Sequence, residues 1–485
     1  MEEDEVTIRE QNFYSQVREC IICFLLFAIL YIVSYFIIKR YKRKGDEQED
    51  EDATVNRVSL FLCTFTLAVS GGAVLLLPFS IISNEILLCF PKSYYIQWLN
   101  GSLIHGLWNL VSLFSNLCLF VLMPFAFFFL ESEGFAGLKK GIKARILETI
   151  IMLILLALLI FGIVWVASAL IDNSSASMES LYDLWDCYLP YLYSCISLMG
   201  CLLLLLCTPV GLSRMFTVMG QLLVKPTILE DIDEQMYIIS LQEEALQRKL
   251  NGGNYTADYS RKKIEHDLLN ARSMKSKLER RKNASAWQRN LVYPAVMILL
   301  LIATFSSVIL VSLNILRLLV DETAMPKGSK GSGFGDASLF TFGFAGATLE
   351  IILIFYLMVS SVVGFYSLRF FSSFTPRKDD TTMTKVIGNC LSILVLSSAL
   401  PVMSRTLGIT RFDLLGDFGR FNWLGNFYIV VAYNLMFAVM TTLCLVRKFT
   451  SAVREELLKA IGLDRLQLSN KSSDSPSPNG HQKSL

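Results

Sequence analysis

Nine long apolar runs decide what this chain can become. They lie at roughly 20–38, 58–82, 103–130, 147–171, 187–209, 291–319, 343–367, 385–404 and 426–446. Lipid offers no partner to a backbone N–H or C=O. A segment of about 20 apolar residues therefore crosses it as a helix, which satisfies those groups within itself. The fold class read from the runs is an all-α integral membrane protein with about nine transmembrane helices. Composition agrees: 53% of the 485 residues are hydrophobic and 18% are charged, against about a quarter charged in a soluble domain. The third and sixth runs exceed what a bilayer requires and are expected to tilt or protrude. Pro78, Pro124, Pro190, Pro209, Pro294 and Pro401 are read as lying near run ends, where a lost backbone donor costs least.

The first run is expected to be an uncleaved span and not a signal peptide. Its leader, Met1-Glu2-Glu3-Asp4-Glu5, is acidic, and it ends in bulky Tyr35-Phe36-Ile37-Ile38 without a small-residue cleavage site. Lys39, Arg40, Lys42, Arg43 and Lys44 follow at once. Basic residues mark the cytosolic side of a span. Loops 1, 3 and 5 and the tail are rich in them, whereas loop 2 holds Lys92 alone and loop 4 holds none. Loops 7 and 8 tie at three each. The N-terminus is thus expected outside or in a lumen and the C-terminus in the cytosol. The formal net charge of +2 gives no reason to expect nucleic acid.

The resulting organisation is a membrane domain of five spans (1–210), a cytosolic segment (211–290), a membrane domain of four spans (291–446) and a tail (447–485). In the cytosolic segment Ile232, Met236, Ile239, Glu243, Leu246 and Leu250 recur at heptad spacing with one polar break. Gly252-Gly253-Asn254 supplies a turn, and Ile264, Leu268, Ala271 and Leu278 line one face of a second helix. A coiled-coil helical hairpin is expected, either as a connector or as a docking surface for a cytosolic partner. In the tail, Phe449, Val453, Leu457 and Ile461 suit an amphipathic helix on the inner leaflet. Beyond Leu468 the composition is that of a disordered segment.

Chemistry is sparse. The three histidines, His105, His266 and His481, form no constellation, and no HExxH, GxSxG, GxGxxG or P-loop occurs. Cys20 and Cys23 make a lone CxxC. Most of the eleven cysteines sit inside apolar runs, as small buried hydrophobes do. Cys89 and Cys187 are placed in inter-span loops, where they would pair only if both face an oxidising side. A non-enzymatic protein without metal or cofactor is expected. Ionisable residues within spans are costly and point to function by default. Glu350 stands about a third of the way into the seventh run, and Arg317 and Asp321 are four apart at the end of the sixth. Glu350 either stabilises helix packing or lines a transport path for a lipid or small solute. Loop 8, Arg405 to Trp423, mixes charges, glycines and aromatics. Arg405, Arg411, Asp413, Asp417, Arg420 and Trp423 either pair among themselves in a folded plug or form part of an external ligand surface.

Several strings are long and unusual: Leu75-Leu76-Leu77-Pro78-Phe79-Ser80-Ile81-Ile82-Ser83-Asn84-Glu85, Tyr94-Tyr95-Ile96-Gln97-Trp98-Leu99-Asn100-Gly101-Ser102, Glu131-Ser132-Glu133-Gly134-Phe135-Ala136-Gly137, Asp321-Glu322-Thr323-Ala324-Met325-Pro326 and the whole of loop 8. On these the chain resembles the limb region 1 protein family, which includes the lipocalin-interacting membrane receptor. The first cytosolic loop, Lys42-Arg43-Lys44-Gly45-Asp46-Glu47-Gln48-Glu49-Asp50, is similar to one branch of it. The resemblance implies nine spans, an external N-terminus, a cytosolic C-terminus and a cytosolic coiled coil. It also implies a receptor activity, in endocytosis of a lipocalin-like extracellular protein or in ER-associated control of Wnt signalling. The implied address is the plasma membrane, with the ER as the alternative.

Overall fold

A computed structural model describes residues 2–43, 50–90, 98–132, 142–171, 180–222, 232–252, 267–276, 279, 292–320, 344–377, 380–410 and 427–460. The described chain is built of helices: α1 (Glu2–Tyr41), α2 (Asp50–Cys89), α3 (His105–Leu117), α4 (Met123–Glu131), α5 (Ile142–Ile171), α6 (Ser180–Leu222), α7 (Ile232–Gly252), α8 (267–276), α9 (Tyr293–Val320), α10 (Phe344–Ser367), α11 (Met383–Thr406) and α12 (Phe427–Ala460). Among the described residues nine segments are long and apolar enough to cross a bilayer. The third of them, Gly106–Glu131, is assembled from α3, a π-helical stretch (Cys118–Leu122) and α4. A second π-helical stretch, Leu99–Ile104, leads into it. The helical span architecture expected from the apolar runs is what the chain adopts.

Two compact units are distinguished, residues 1–213 with 310–485, and residues 214–309. In the first, the interior is built where small and hydroxylated side chains let helices approach. A Cβ on Gly211 of α6 would collide with the Ser360 carbonyl of α10, and one on Gly364 with the Cys207 carbonyl, so the two backbones touch. Glycine at both positions is what permits that contact. Beside it the Thr208 and Ser361 hydroxyls are 2.8 Å apart. α11 packs chiefly along α2, and α1 along the outside of α2. The apolar core draws Leu77, Leu204, Leu353, Leu396, Val402 and Phe437 from α2, α6, α10, α11 and α12. Several hydroxyls buried among these chains return to their own helix: Thr64, Ser70, Ser80, Thr208, Ser361 and Thr406 each reach the carbonyl four residues earlier. That is how a polar residue is tolerated at membrane depth. The outward sides of α1 and α5 expose Phe24, Ile29, Phe36, Leu155, Leu158 and Leu159, as a lipid-facing surface requires.

Three sequence expectations are corrected. Pro78 lies eleven residues before the end of α2 and Pro209 thirteen before the end of α6, so these helices continue well beyond a proline, whereas Pro401 stands near the end of α11 as expected. α6 does not stop near 210 but runs through Gly211 to Leu222. Cys187 belongs to α6 rather than a loop, and Cys89 is the last residue of α2 with a free thiol, so the two form no disulfide.

In the second unit, Glu243 explains the polar break in the heptad pattern. Its carboxylate accepts from Arg272 Nε at 3.1 Å and from Lys275 Nζ at 2.9 Å, joining α7 to α8. Lys275 first, and Arg272 after it, hold this carboxyl below the usual carboxylate range, while Glu243 raises Lys275 in return. Met236, Ile239 and Leu246 are half-buried on α7, and Leu268 and Ala271 are buried on α8. Ile232 and Leu250 fall within α7. Gly252, expected in a turn, is the last residue of α7, and Gly253, Asn254, Ile264 and Leu278 lie outside the described residues.

Candidate functional site

Candidate spans that alternate in direction put Trp98 and the end of α11 on the face of the N-terminus, and Tyr41 and Thr381 on the other face. Contacts within the first unit respect this division. On the N-terminal face, the Arg18 guanidinium lies 3.9 Å from the centroid of the Trp98 ring, and Trp98 Nε1 donates to Glu19 Oε1 at 2.8 Å, tying loop 2 to α1. On the opposite face, the Arg43 amide donates to the Thr381 carbonyl at 3.1 Å. The Thr381 amide donates to the Tyr41 carbonyl at 3.2 Å, tying loop 1 to loop 7.

The N-terminal face carries loop 8, and its base is the most elaborately built polar site of the described chain. α11 ends in a left-handed cap. Gly408 has φ +72°, its amide donates to the Arg405 carbonyl at 3.0 Å, and the Ile409 amide donates to the Ser404 carbonyl at 3.0 Å. This pair of bonds is the Schellman closure, which places glycine at the left-handed position. Ile409 then re-enters the apolar core. Thr406, in the last turn, has a carbonyl with no helical partner. Two asparagines from neighbouring spans supply it: Asn434 Nδ2 of α12 at 2.9 Å and Asn314 Nδ2 of α9 at 3.2 Å. Asn314 Nδ2 also donates to Asn434 Oδ1 at 3.2 Å, and Asn434 Nδ2 to the Val430 carbonyl at 2.9 Å. Asn434 is 0% exposed. A Cβ on Gly408 would come within 2.6 Å of Asn314 Oδ1, so glycine serves both the turn and the close approach.

Of the loop 8 candidates, Arg405 is half-buried and its Nη1 reaches the Thr410 carbonyl at 3.4 Å, bracing the first residues of the loop. Arg411, Asp413, Asp417, Arg420 and Trp423 lie outside the described residues. Glu350 is 4% exposed in the second turn of α10. Ala347, three before it, and Ile354, four after it, both belong to the core, so Glu350 faces the bundle interior. Arg317 occupies the last turn of α9, where a cation complements the helix dipole. Asp321 lies outside the described residues. Among the described residues no group of three or more His, Cys, Asp or Glu side chains is placed to hold a metal ion.

Sequence reading missed Asn314, Asn434 and the cap. The signals were present: Leu407-Gly408-Ile409 is a glycine followed by an apolar residue at the end of an apolar run, and each asparagine interrupts an otherwise hydrophobic stretch.

Comparison with known proteins places the chain. No solved structure matches it. The limb region 1 protein homolog of Gallus gallus is 83% identical over 488 residues, covering 100% of both chains. That of Homo sapiens is 81% identical over 487 residues, covering 100% of this chain and 99% of its own. The limb region 1 protein of Mus musculus is 80% identical with the same coverage. The family model for LMBR1-like membrane proteins matches residues 19–267 and 255–449, and the chain therefore belongs to that family.

Proposed function

We propose that this multi-pass membrane protein is a non-enzymatic receptor or signalling adaptor. It binds an extracellular protein of the lipocalin class on the N-terminal face and engages a cytosolic partner through the part of residues 211–290 that follows α6. The observation that carries the reading is the base of loop 8. Three spans and a glycine cap fix where a loop of arginines, aspartates and aromatics emerges, and residues of those types favour recognition. Preorganisation of that kind lowers the entropic cost of binding. The excess of basic residues in loops 1, 3 and 5 supports a cytosolic position for the opposite face, and the resemblance to the family supports the plasma membrane as address, with the ER as the alternative. Membrane lipids are the remaining partners.

The test is labelling of single cysteines at Gly252 and Gly416, followed by lipocalin binding to cells. Gly416→Cys should label on intact cells and Gly252→Cys only after permeabilisation, and Arg411→Glu with Trp423→Ala should abolish binding without changing surface level. A Gly416 site reachable only after permeabilisation refutes the receptor reading at the plasma membrane.

Buried Glu350 supports a second reading, in which the bundle interior conducts a lipid or small solute. A carboxylate at that depth is expensive unless it has a task. Glu350→Gln should abolish flux in proteoliposomes if the side chain lines a path, and should leave ligand binding at loop 8 unchanged.

A further inference from the structure

The face opposite loop 8 holds a cationic surface assembled from two distant parts of the chain. Lys39 and Arg40 end α1, and Lys42 and Arg43 continue it in extended form. Residues this close to a span end normally swing freely. Here they are pinned, because Tyr41 and Arg43 exchange backbone hydrogen bonds with Thr381 in a short parallel bridge. Thr381 is itself buried, and its hydroxyl donates to the Arg377 carbonyl at 2.8 Å and accepts from the Arg377 amide at 3.0 Å. One threonine therefore gathers Lys42, Arg43 and Arg377, with Lys385 one turn further on in α11. Two contacts tie down the described part of loop 7: Asn389 Nδ2 donates to the Phe374 carbonyl at 2.8 Å, and Phe371 stacks on Phe365 with centroids 4.3 Å apart. That stacking leaves the preceding Phe370 91% exposed, beside exposed Arg369, where the chain leaves α10. Among the described residues here the opposing charge is Asp380.

We propose that this bridge-held surface binds the head group of a polyphosphorylated inositol lipid, with Phe370 entering the acyl boundary beside it. Clustered cations next to a span recognise anionic lipid, and an aromatic ring belongs at that depth. The sequence also argues for a multiply charged head group. Asp46, Glu47, Glu49, Asp50, Glu51 and Asp52 follow the basic cluster directly. Carboxylates next to the cations, Asp50, Glu51 and Asp52 at the start of α2 among them, compete for the same charges, and a bisphosphate displaces them where a singly charged head group does not.

The test uses the full-length chain in detergent, titrated by thermophoresis with dioctanoyl phosphatidylinositol bisphosphate, dioctanoyl phosphatidylserine and free inositol trisphosphate. The inositol lipid should bind at least about tenfold tighter than phosphatidylserine. The pair Lys42→Gln with Arg43→Gln, and separately Arg377→Gln, should each weaken it about tenfold or more with Tm unchanged. Phe370→Ser should weaken the lipid and leave inositol trisphosphate unaffected, and neutralising the six acids should tighten phosphatidylserine. Equal affinity for the two lipids would reduce the surface to general membrane attraction. Equal affinity for the lipid and the free phosphate would make the ligand soluble. Unchanged affinity in the Gln variants would place the lipid elsewhere. Each of those results overturns the proposal.

Discussion

α5 and α11 are both long apolar spans, yet 6% of the most hydrophobic part of α5 is buried and 67% of that of α11. α5 is leucine and isoleucine from Ile150 to Ile160 apart from Met152 and Ala157, whereas α11 carries Gly388, Asn389, Cys390, Ser392, Ser397, Ser398 and Ser404. In water the greasier helix would be the inner one. In lipid the tails are as apolar as leucine, so hydrophobicity gives no reason to leave them, and close packing and hydrogen bonding do. The inner helix is the one that offers both.

The sharpest break in that comparison is at the α6–α10 contact. Gly364→Val drives a side chain into the Cys207 carbonyl and should cost about 3 kcal/mol, read as a fall in Tm of the purified protein. An unchanged Tm would mean that small residues do not set the core. Next is the asparagine node: Asn434→Leu leaves Asn314 and the Thr406 carbonyl short of a partner, and should cost about 1–2 kcal/mol in the same assay. Ser80→Ala removes the acceptor of the Trp108 indole, 3.0 Å away, and should cost about 1 kcal/mol. At the far end, Leu158→Ala on exposed α5 should stay within about 0.5 kcal/mol, and a larger loss would show that α5 has a protein partner.

The Glu243 cluster offers a control governed by water. Its lowered carboxyl contributes stability above the ordinary carboxylate value of about 4.3, lost as pH falls through the lowered value. Raised Lys275 contributes below its ordinary value of about 10.4, lost as pH rises through the raised one. Spin labels on α7 and α8 of the full-length protein should report a constant separation between those limits and a broader one in acid. Glu243→Gln should show the broad distribution at every pH.

The spans were legible because their signal is local: about twenty apolar residues can do little else in a chain of this length. Heptad spacing likewise marked α7, and Glu243 stood out as its irregularity. The order of burial was not legible, because it depends on which helices meet. Nothing in Ser360 or Gly211 announces that one carbonyl rests on the other. Asn314 and Asn434 lie 120 positions apart, and their shared acceptor belongs to a third helix. Loop 8 could be recognised as unusual, while the cap that anchors it required knowing where α11 stops.

The lateness of α11 has a consequence for how the protein is made. α2 leaves the ribosome roughly 300 residues before the helix it packs against most. At about 5–20 residues per second, that is a delay of about 15–60 seconds. Throughout it α2 sits in the bilayer with the Thr64, Thr66, Ser70 and Ser80 hydroxyls satisfied by its own carbonyls but its principal neighbour unwritten. The strap between Tyr41 and Thr381 closes only when synthesis reaches the start of α11. A chain stopped short of that point lacks both α11 and the strap, and the side of α2 that α11 covers is left open.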